Sequence, residues 1–206
     1  MYRLYWSPGA ASLAIHWMLL EIGVPFEMER ADIDSGQNRS PDYLQLNPAG
    51  KVPTLVVDGV PVTETTALLM LLAERHPEAG LAPAPGSPNR AAWLEWMLYL
   101  ANTLMPAFRL WFYPDDLPGA DREALRSTIE AAFERIDRHL TGRTYMIGEF
   151  LSTADLLVVM LMRWSRNMPR PATDWPQIAH YTREMRTLPS LHKVHAREGL
   201  TDWIDD

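Results

Sequence analysis

The change of pattern on either side of Glu78–Asn89 constrains this chain more than any other feature. That stretch holds Pro83, Pro85, Pro88, Gly80 and Gly86, with Pro77 just before it. Such a composition resists regular structure and reads as a linker over 78–88. Ahead of it, short β-prone runs alternate with helical ones. Arg3-Leu4-Tyr5-Trp6 stops at the turn signal Ser7-Pro8-Gly9, and an apolar helix follows from about Ala11-Ser12 to Gly23. Val24 to Glu29 alternates as a strand does, and Ser40-Pro41 opens a short helix. Thr54 to Val57 and Pro61 to Thr63 flank Asp58-Gly59, a hairpin signal, and Thr65 to Arg75 is a helix. Strand, helix, strand, helix, strand, strand, helix is an α/β layout with an antiparallel final pair.

Beyond the linker the pattern is helical to the end. Arg90 to Phe112 contains Pro106, which is expected to kink or break it. Leu125, Ile129, Phe133, Ile136 and Leu140 form one apolar stripe with charges opposite. Ser152-Thr153-Ala154-Asp155 has capping-box spacing and opens a helix, Leu156 to Met162, that is apolar all round and therefore central. Two further helices are expected at about 176–187 and 190–197. The domains expected are 1–77, α/β, and 89–206, an all-α bundle.

The chain of 206 residues has no cysteine, which removes disulfides, thiolate metal sites and a cysteine nucleophile. His192 and His195 are three apart but lack a carboxylate or cysteine at ligand spacing, so no metal site is expected. A net charge of −7 argues against a nucleic-acid partner, for which a basic face is the footprint. The longest purely apolar run, Leu156 to Met162, is far short of the roughly 20 residues that span a bilayer. With no signal-peptide layout at the N-terminus, a cytoplasmic protein without a membrane partner is expected.

Two short stretches carry the chemistry. Asn47-Pro48-Ala49-Gly50-Lys51-Val52-Pro53 turns into the strand at Thr54. Proline cannot join the interior of a ladder, so Pro53 belongs at a strand start. Either this is an ordinary turn, or a cis bond leaves the Val52 backbone facing outward to pair with an extended peptide. Glu64-Thr65 opens the next helix.

The α/β half, the Val52-Pro53 turn, Glu64-Thr65 and the Ser152–Asp155 box, in this order, resemble the glutathione transferase family. The likeness runs over essentially the whole chain. The opening Ser7-Pro8-Gly9-Ala10-Ala11-Ser12-Leu13-Ala14 with His16 is most similar to the bacterial beta class. The resemblance implies a thioredoxin-like N-terminal domain, a homodimer, and glutathione as co-substrate for conjugation to a small, mainly hydrophobic electrophile. It implies that Val52-Pro53 pairs with the cysteinyl unit, Glu64 and Thr65 hold the γ-glutamyl end, and Lys51 meets the glycine carboxylate. The class cysteine is missing, Ala11 standing in its place. Ser12 is the nearest hydroxyl and is expected to stabilise the thiolate, with Tyr5 and Ser7 as alternatives. Polar groups of the class are replaced by Leu98, Met105 and Pro106, which implies an apolar second-substrate pocket lined by Met105, Phe108, Trp111 and Tyr113. The same likeness admits a non-catalytic binding or regulatory protein, or a glutathione-dependent isomerase, dehalogenase or reductase.

Overall fold

Four strands, β1 (Tyr2–Trp6), β2 (Phe26–Arg30), β3 (Thr54–Val57) and β4 (Val60–Val62), form one sheet in the order β2-β1-β3-β4. The computed structural model describes residues 1–205. β1 and β2 run parallel, which requires a crossover, and α1 (Ser12–Ile22) supplies it. β1–β3 and β3–β4 are antiparallel, the latter closed by the expected Asp58-Gly59 hairpin. Ser40 caps α2 (Pro41–Leu46) by accepting the Tyr43 N–H at 3.3 Å, and α3 (Thr65–Arg75) follows β4. Leu4 and Leu55 of the sheet are fully buried, as are Ile15, Trp17 and Met18 of α1 and Leu68, Leu69 and Leu72 of α3. Burial of such a side chain is worth about 1.5–3 kcal/mol, so these faces drive the assembly of the unit.

The register decides what shares an edge. Tyr5 pairs with Thr54, and Leu55 with Val62. The end of β1, the start of β3 and the end of β4 therefore lie together. Three connections leave from that one edge of the sheet: Ser7–Ala11 into α1, Val52-Pro53 into β3, and Thr63-Glu64 into α3.

The chain divides into two compact units, Met1–Ala79 with the segment from Arg186 onward, and Gly80–Met185. The last helix, α9 (Pro189–Glu198), lies in the range 89–206 read as one helical domain, yet it packs on α1 in the first unit. Its Leu191 and Val194 are fully buried. Trp17 Nε1 donates to Ser190 Oγ at 2.9 Å and to Glu21 Oε1 at 2.9 Å, clipping the two helices.

The second unit is helical: α4 (Arg90–Tyr99), α5 (Met105–Phe112), α6 (Arg122–Leu140), α7 (Thr153–Trp164) and α8 (Pro176–Arg186). The helical run does not end at Pro106. A π turn, Leu100–Leu104, precedes it, and Pro106 occupies the first turn of α5, where a missing N–H costs least. α7 is buried from Thr153 to Arg163, as its all-round apolarity implied. The Asp155 carboxylate accepts from the Met146 N–H (2.7 Å), the Ser152 N–H (2.8 Å), Ser152 Oγ (2.7 Å) and Tyr181 Oη (2.8 Å). Burial pushes this carboxyl above its ordinary range, and the donors oppose that push. The linker is tied into this unit: the Leu81 carbonyl accepts the Thr153 N–H at 2.8 Å, and the Pro83 carbonyl accepts from Arg90 at 2.9 Å. Among the described residues no helix is long and apolar enough to cross a membrane.

Candidate functional site

At the shared edge, the Val52–Pro53 peptide bond is cis. The Val52 side chain packs in a cluster with Tyr5, Ala31 and Tyr43. Its backbone is left over: among the described residues neither the Val52 N–H nor its C=O has a hydrogen-bond partner. A buried side chain under an unpaired backbone is what a strand-adding peptide needs, because main-chain pairing then gives the affinity.

The turn beneath is held from several directions. The Lys51 carbonyl accepts from Tyr43 Oη at 2.6 Å and from Asn47 Nδ2 at 2.7 Å, and Tyr43 Oη also meets Thr54 Oγ1 at 2.8 Å. Asn38 Nδ2 donates to the Gly50 carbonyl at 2.7 Å. Gly50 has φ +59°, and a Cβ there would lie 2.8 Å from Arg39 Nη1 and 3.0 Å from the Asn38 carbonyl, so only glycine fits. The Lys51 side chain is exposed, with no partner for its ammonium among the described residues.

Glu64 and Thr65 lie at the same edge. Glu64 has φ +72°, uncommon for a residue with a Cβ and a feature that clusters at functional sites. Its side chain is exposed and no side chain caps α3. Thr65 is buried, and the neighbouring Thr66 Oγ1 is buried without a partner. The start of α3 thus presents unsatisfied N–H groups and the positive end of the helix dipole.

α1 is uncapped too. No side chain accepts from its first turn, and among the described residues the Ala11 and Ser12 N–H groups have no acceptor. Ser12, expected to offer its hydroxyl, is fully buried. Its Oγ donates to the Ser7 carbonyl and accepts the Ser7 N–H, both at 3.2 Å, so donor and acceptor are spent inside the fold. Ser7 is engaged likewise, donating to Asp32 Oδ1 at 3.4 Å and accepting the Ile33 N–H at 3.2 Å. Tyr5 is buried against Tyr43, and burial raises its phenol above the ordinary value. What this end leaves without an intramolecular partner is backbone N–H, that of Ala11 part-exposed and that of Ser12 buried.

The expected pocket residues of the helical unit divide. Phe108, assigned to a pocket wall, is fully buried among Phe112, Phe133 and Trp164 and belongs to the core. Met105 is half-buried. Trp111 carries the Arg122 guanidinium 4.2 Å above its ring, and Tyr113 that of Arg109 at 3.8 Å. One face of each ring is therefore covered by a cation. Among the described residues no group of three or more histidine and acidic side chains is placed to hold a metal ion.

Comparison with known proteins bears on this arrangement. The sequence profile described as "Glutathione S-transferase, N-terminal domain" matches residues 1–74, and that of the C-terminal domain matches residues 100–189. Glutathione S-transferase GST-4.5 of Xanthomonas campestris pv. campestris is 35% identical over 169 residues, 79% of this chain and 82% of its own. The chain belongs to the glutathione S-transferase family. Among solved structures it resembles a sphingomonad glutathione S-transferase complexed with glutathione, at 30% identity and TM-score 0.85, covering 97% of this chain and 100% of that one. A bacterial beta class glutathione S-transferase from Sphingomonas chungbukensis is 28% identical with TM-score 0.83, over 97% of this chain and 100% of its own. This family member has no cysteine.

Asn38, Tyr43 and Asn47 were missed as supports of the Val52 turn. Asn47 had a readable signal, an amide just ahead of Pro-Ala-Gly, where such side chains bond backbone two residues on, and its Oδ1 accepts the Ala49 N–H at 3.1 Å. Glu198 was missed altogether; its carboxylate accepts the Gly9 N–H at 2.9 Å from the far end of the chain.

Proposed function

We propose that this protein is a glutathione transferase whose thiolate is held by backbone N–H groups rather than by a side-chain hydroxyl or thiol. The observation that carries this is the convergence, at one sheet edge, of the unpaired Val52 backbone with the uncapped N-termini of α1 and α3. The cysteinyl unit pairs with Val52 beside Pro53. The γ-glutamyl carboxylate sits on the start of α3 with Thr65, and Glu64 faces the ammonium. Lys51 meets the glycine carboxylate.

The sulfur then lies toward the start of α1, where the part-exposed Ala11 N–H and the positive end of the helix dipole favour its ionised form. A helix N-terminus lowers a thiol from about 8.5 toward neutrality. With an activated aryl chloride the thiolate attacks the ring carbon, a C–S bond forms, and chloride leaves with the C–Cl electron pair. The thiol proton has already passed to water. The protein's work is positioning and charge stabilisation. The second substrate is a small, mainly hydrophobic electrophile. The protein acts as a cytoplasmic homodimer and needs no metal.

The absence of any free hydroxyl or thiol at the α1 terminus favours one rival, a glutathione-binding protein without transferase chemistry. Retention on immobilised glutathione, followed by conjugation of an activated aryl chloride, tests both. Retention with product supports the transferase; retention without product favours the binding protein; flow-through at neutral pH overturns both.

A further inference from the structure

The ladder between β1 and β3 ends at Tyr5 and Thr54, so the Ser7–Ala11 turn and the Val52-Pro53 turn both lie beyond its last pair. One stretch, 31–39 between β2 and α2, bonds to both. At its start the Ala31 N–H donates to the Trp6 carbonyl at 2.8 Å and the Ile33 N–H to Ser7 Oγ at 3.2 Å. Ser7 Oγ donates in turn to Asp32 Oδ1 at 3.4 Å. At its end Asn38 Nδ2 donates to the Gly50 carbonyl at 2.7 Å, and Arg39 Nη1 to the Ala49 carbonyl at 3.4 Å. The two ends are stitched together, the Asn38 N–H reaching the Asp32 carbonyl at 3.4 Å and the Asp32 N–H reaching Gln37 Oε1 at 3.2 Å. Ala31 and Val52 share one apolar cluster, and Ala10 and Ile33 pack against it. Ser7, Ala31 and Asn38 are buried, whereas residues 34–37 are exposed and polar.

We infer that 31–39 is a strap that sets the two turns relative to each other, and that Asn38 acts through it as a positioning residue for the sulfur end of the site. This rests on the reading that the cysteinyl unit of glutathione pairs at Val52 while its sulfur lies toward the start of α1. Backbone and sulfur of one cysteinyl unit then depend on two separate turns, neither of them held by the ladder. A misplacement of about 1 Å between such parts can cost on the order of a hundredfold in rate. A loop that merely closed the chain would need no buried anchor on either turn; this one has anchors on both. Ser7 serves the strap on the α1 side, its hydroxyl oxygen accepting from Ile33 while its proton goes to Asp32. Asn38 serves it on the other side. Its amide takes the buried Gly50 carbonyl, which among the described residues has no other donor. An effect of Asn38 on the sulfur must therefore travel through the strap or through the Val52 turn and the ligand, and a double variant separates the two routes.

The test titrates bound glutathione with pH on the full-length protein, following the near-ultraviolet absorbance of its thiolate together with its Kd. Wild type is measured first. No binding overturns the proposed function, and this inference with it; a bound thiol still near the free value of about 8.5 overturns the thiolate part of that function and likewise this inference. Asn38→Ala should weaken Kd by about three- to tenfold and raise the bound thiol pKa by about half a unit, a threefold loss of thiolate. Asp32→Ala should raise it by a similar amount with Kd changed less than about threefold, and Asp32→Asn, which keeps an acceptor for Ser7, should recover most of that rise. In Asn38→Ala/Asp32→Ala the thiol should rise no further than in the worse single variant, because both cut the same strap. Weakened binding in Asn38→Ala with the thiol unmoved would make Asn38 a local support and overturn the inference. Shifts that add in the double variant overturn it too, since the two residues would then act by separate routes. If Asn38→Ala does not fold, Asn38→Asp takes its place in both comparisons: it keeps the volume and sets an acceptor against the Gly50 carbonyl, and the same two outcomes decide.

Discussion

Replacing Asp155 by alanine should be the most damaging single change in the helical unit. Its carboxylate oxygens receive four donors, two backbone N–H groups and two hydroxyls, all within 2.7–2.8 Å. The Ser152 and Tyr181 hydroxyls can rotate toward other acceptors. The Met146 and Ser152 N–H groups cannot, and a buried donor left unpaired costs about 1–3 kcal/mol. Relief from burying a carboxylate offsets part of this, but removing one member of a buried charged network still costs about 3–5 kcal/mol. Domains of this kind have about 5–15 kcal/mol in all, so the variant should be near the edge of folding. Urea unfolding followed by tryptophan fluorescence, with midpoint and slope fitted separately, measures the loss. Asp155→Asn separates volume from hydrogen bonding. Its amide nitrogen replaces one oxygen and forfeits that oxygen's two bonds, so it should lose about half as much. A loss below about 1 kcal/mol for Asp155→Ala, or an Asn variant indistinguishable from wild type, would refute the reasoning.

Glu64→Ala should raise the KM for glutathione tenfold or more with little change in melting temperature; a lowered melting temperature at unchanged KM would make Glu64 structural. Ser12→Ala keeps its backbone N–H and loses only the bonds to Ser7, so calorimetry should show about 1–3 kcal/mol of destabilisation while kcat stays within about fivefold; a hundredfold fall in kcat would return the role to its hydroxyl. His139 lies against Trp96 with its Nε2 at 2.7 Å from the Met146 carbonyl, and burial lowers its pKa below the ordinary 6.5. The unfolded chain therefore binds this proton at higher pH than the folded one, and stability present above about pH 6.5 is lost as the pH falls toward the folded value. Urea midpoints at pH 7.5 and pH 5.5 should differ more for wild type than for His139→Gln, and equal differences would exclude His139 as the cause.

The Ser40-Pro41 helix start, the Asp58-Gly59 hairpin and the buried helix after Ser152 were all legible, and each depends on residues within a few positions of one another. The π turn ahead of Pro106 was not legible, because a single proline announces a kink or break and not the wider turn that precedes it. The turn at Val52-Pro53 and the helix start at Glu64-Thr65 were legible because turn and helix-start chemistry is local. The burial of the Ser12 hydroxyl was not, because whether a hydroxyl is free depends on what folds over it.

By itself the sequence determined which segments are strands and helices, and that no thiol of this chain takes part in its chemistry. Only the tertiary structure decided that Ser12 is closed on Ser7, that Phe108 is core, and that α9 returns to α1. It also decided that Glu198 grips Gly9 across a sequence separation of 189. The physical reason is one of range. Backbone preferences and apolar periods are set by neighbours in the chain, whereas burial, hydrogen-bond satisfaction and the aim of an N–H group are set by neighbours in space.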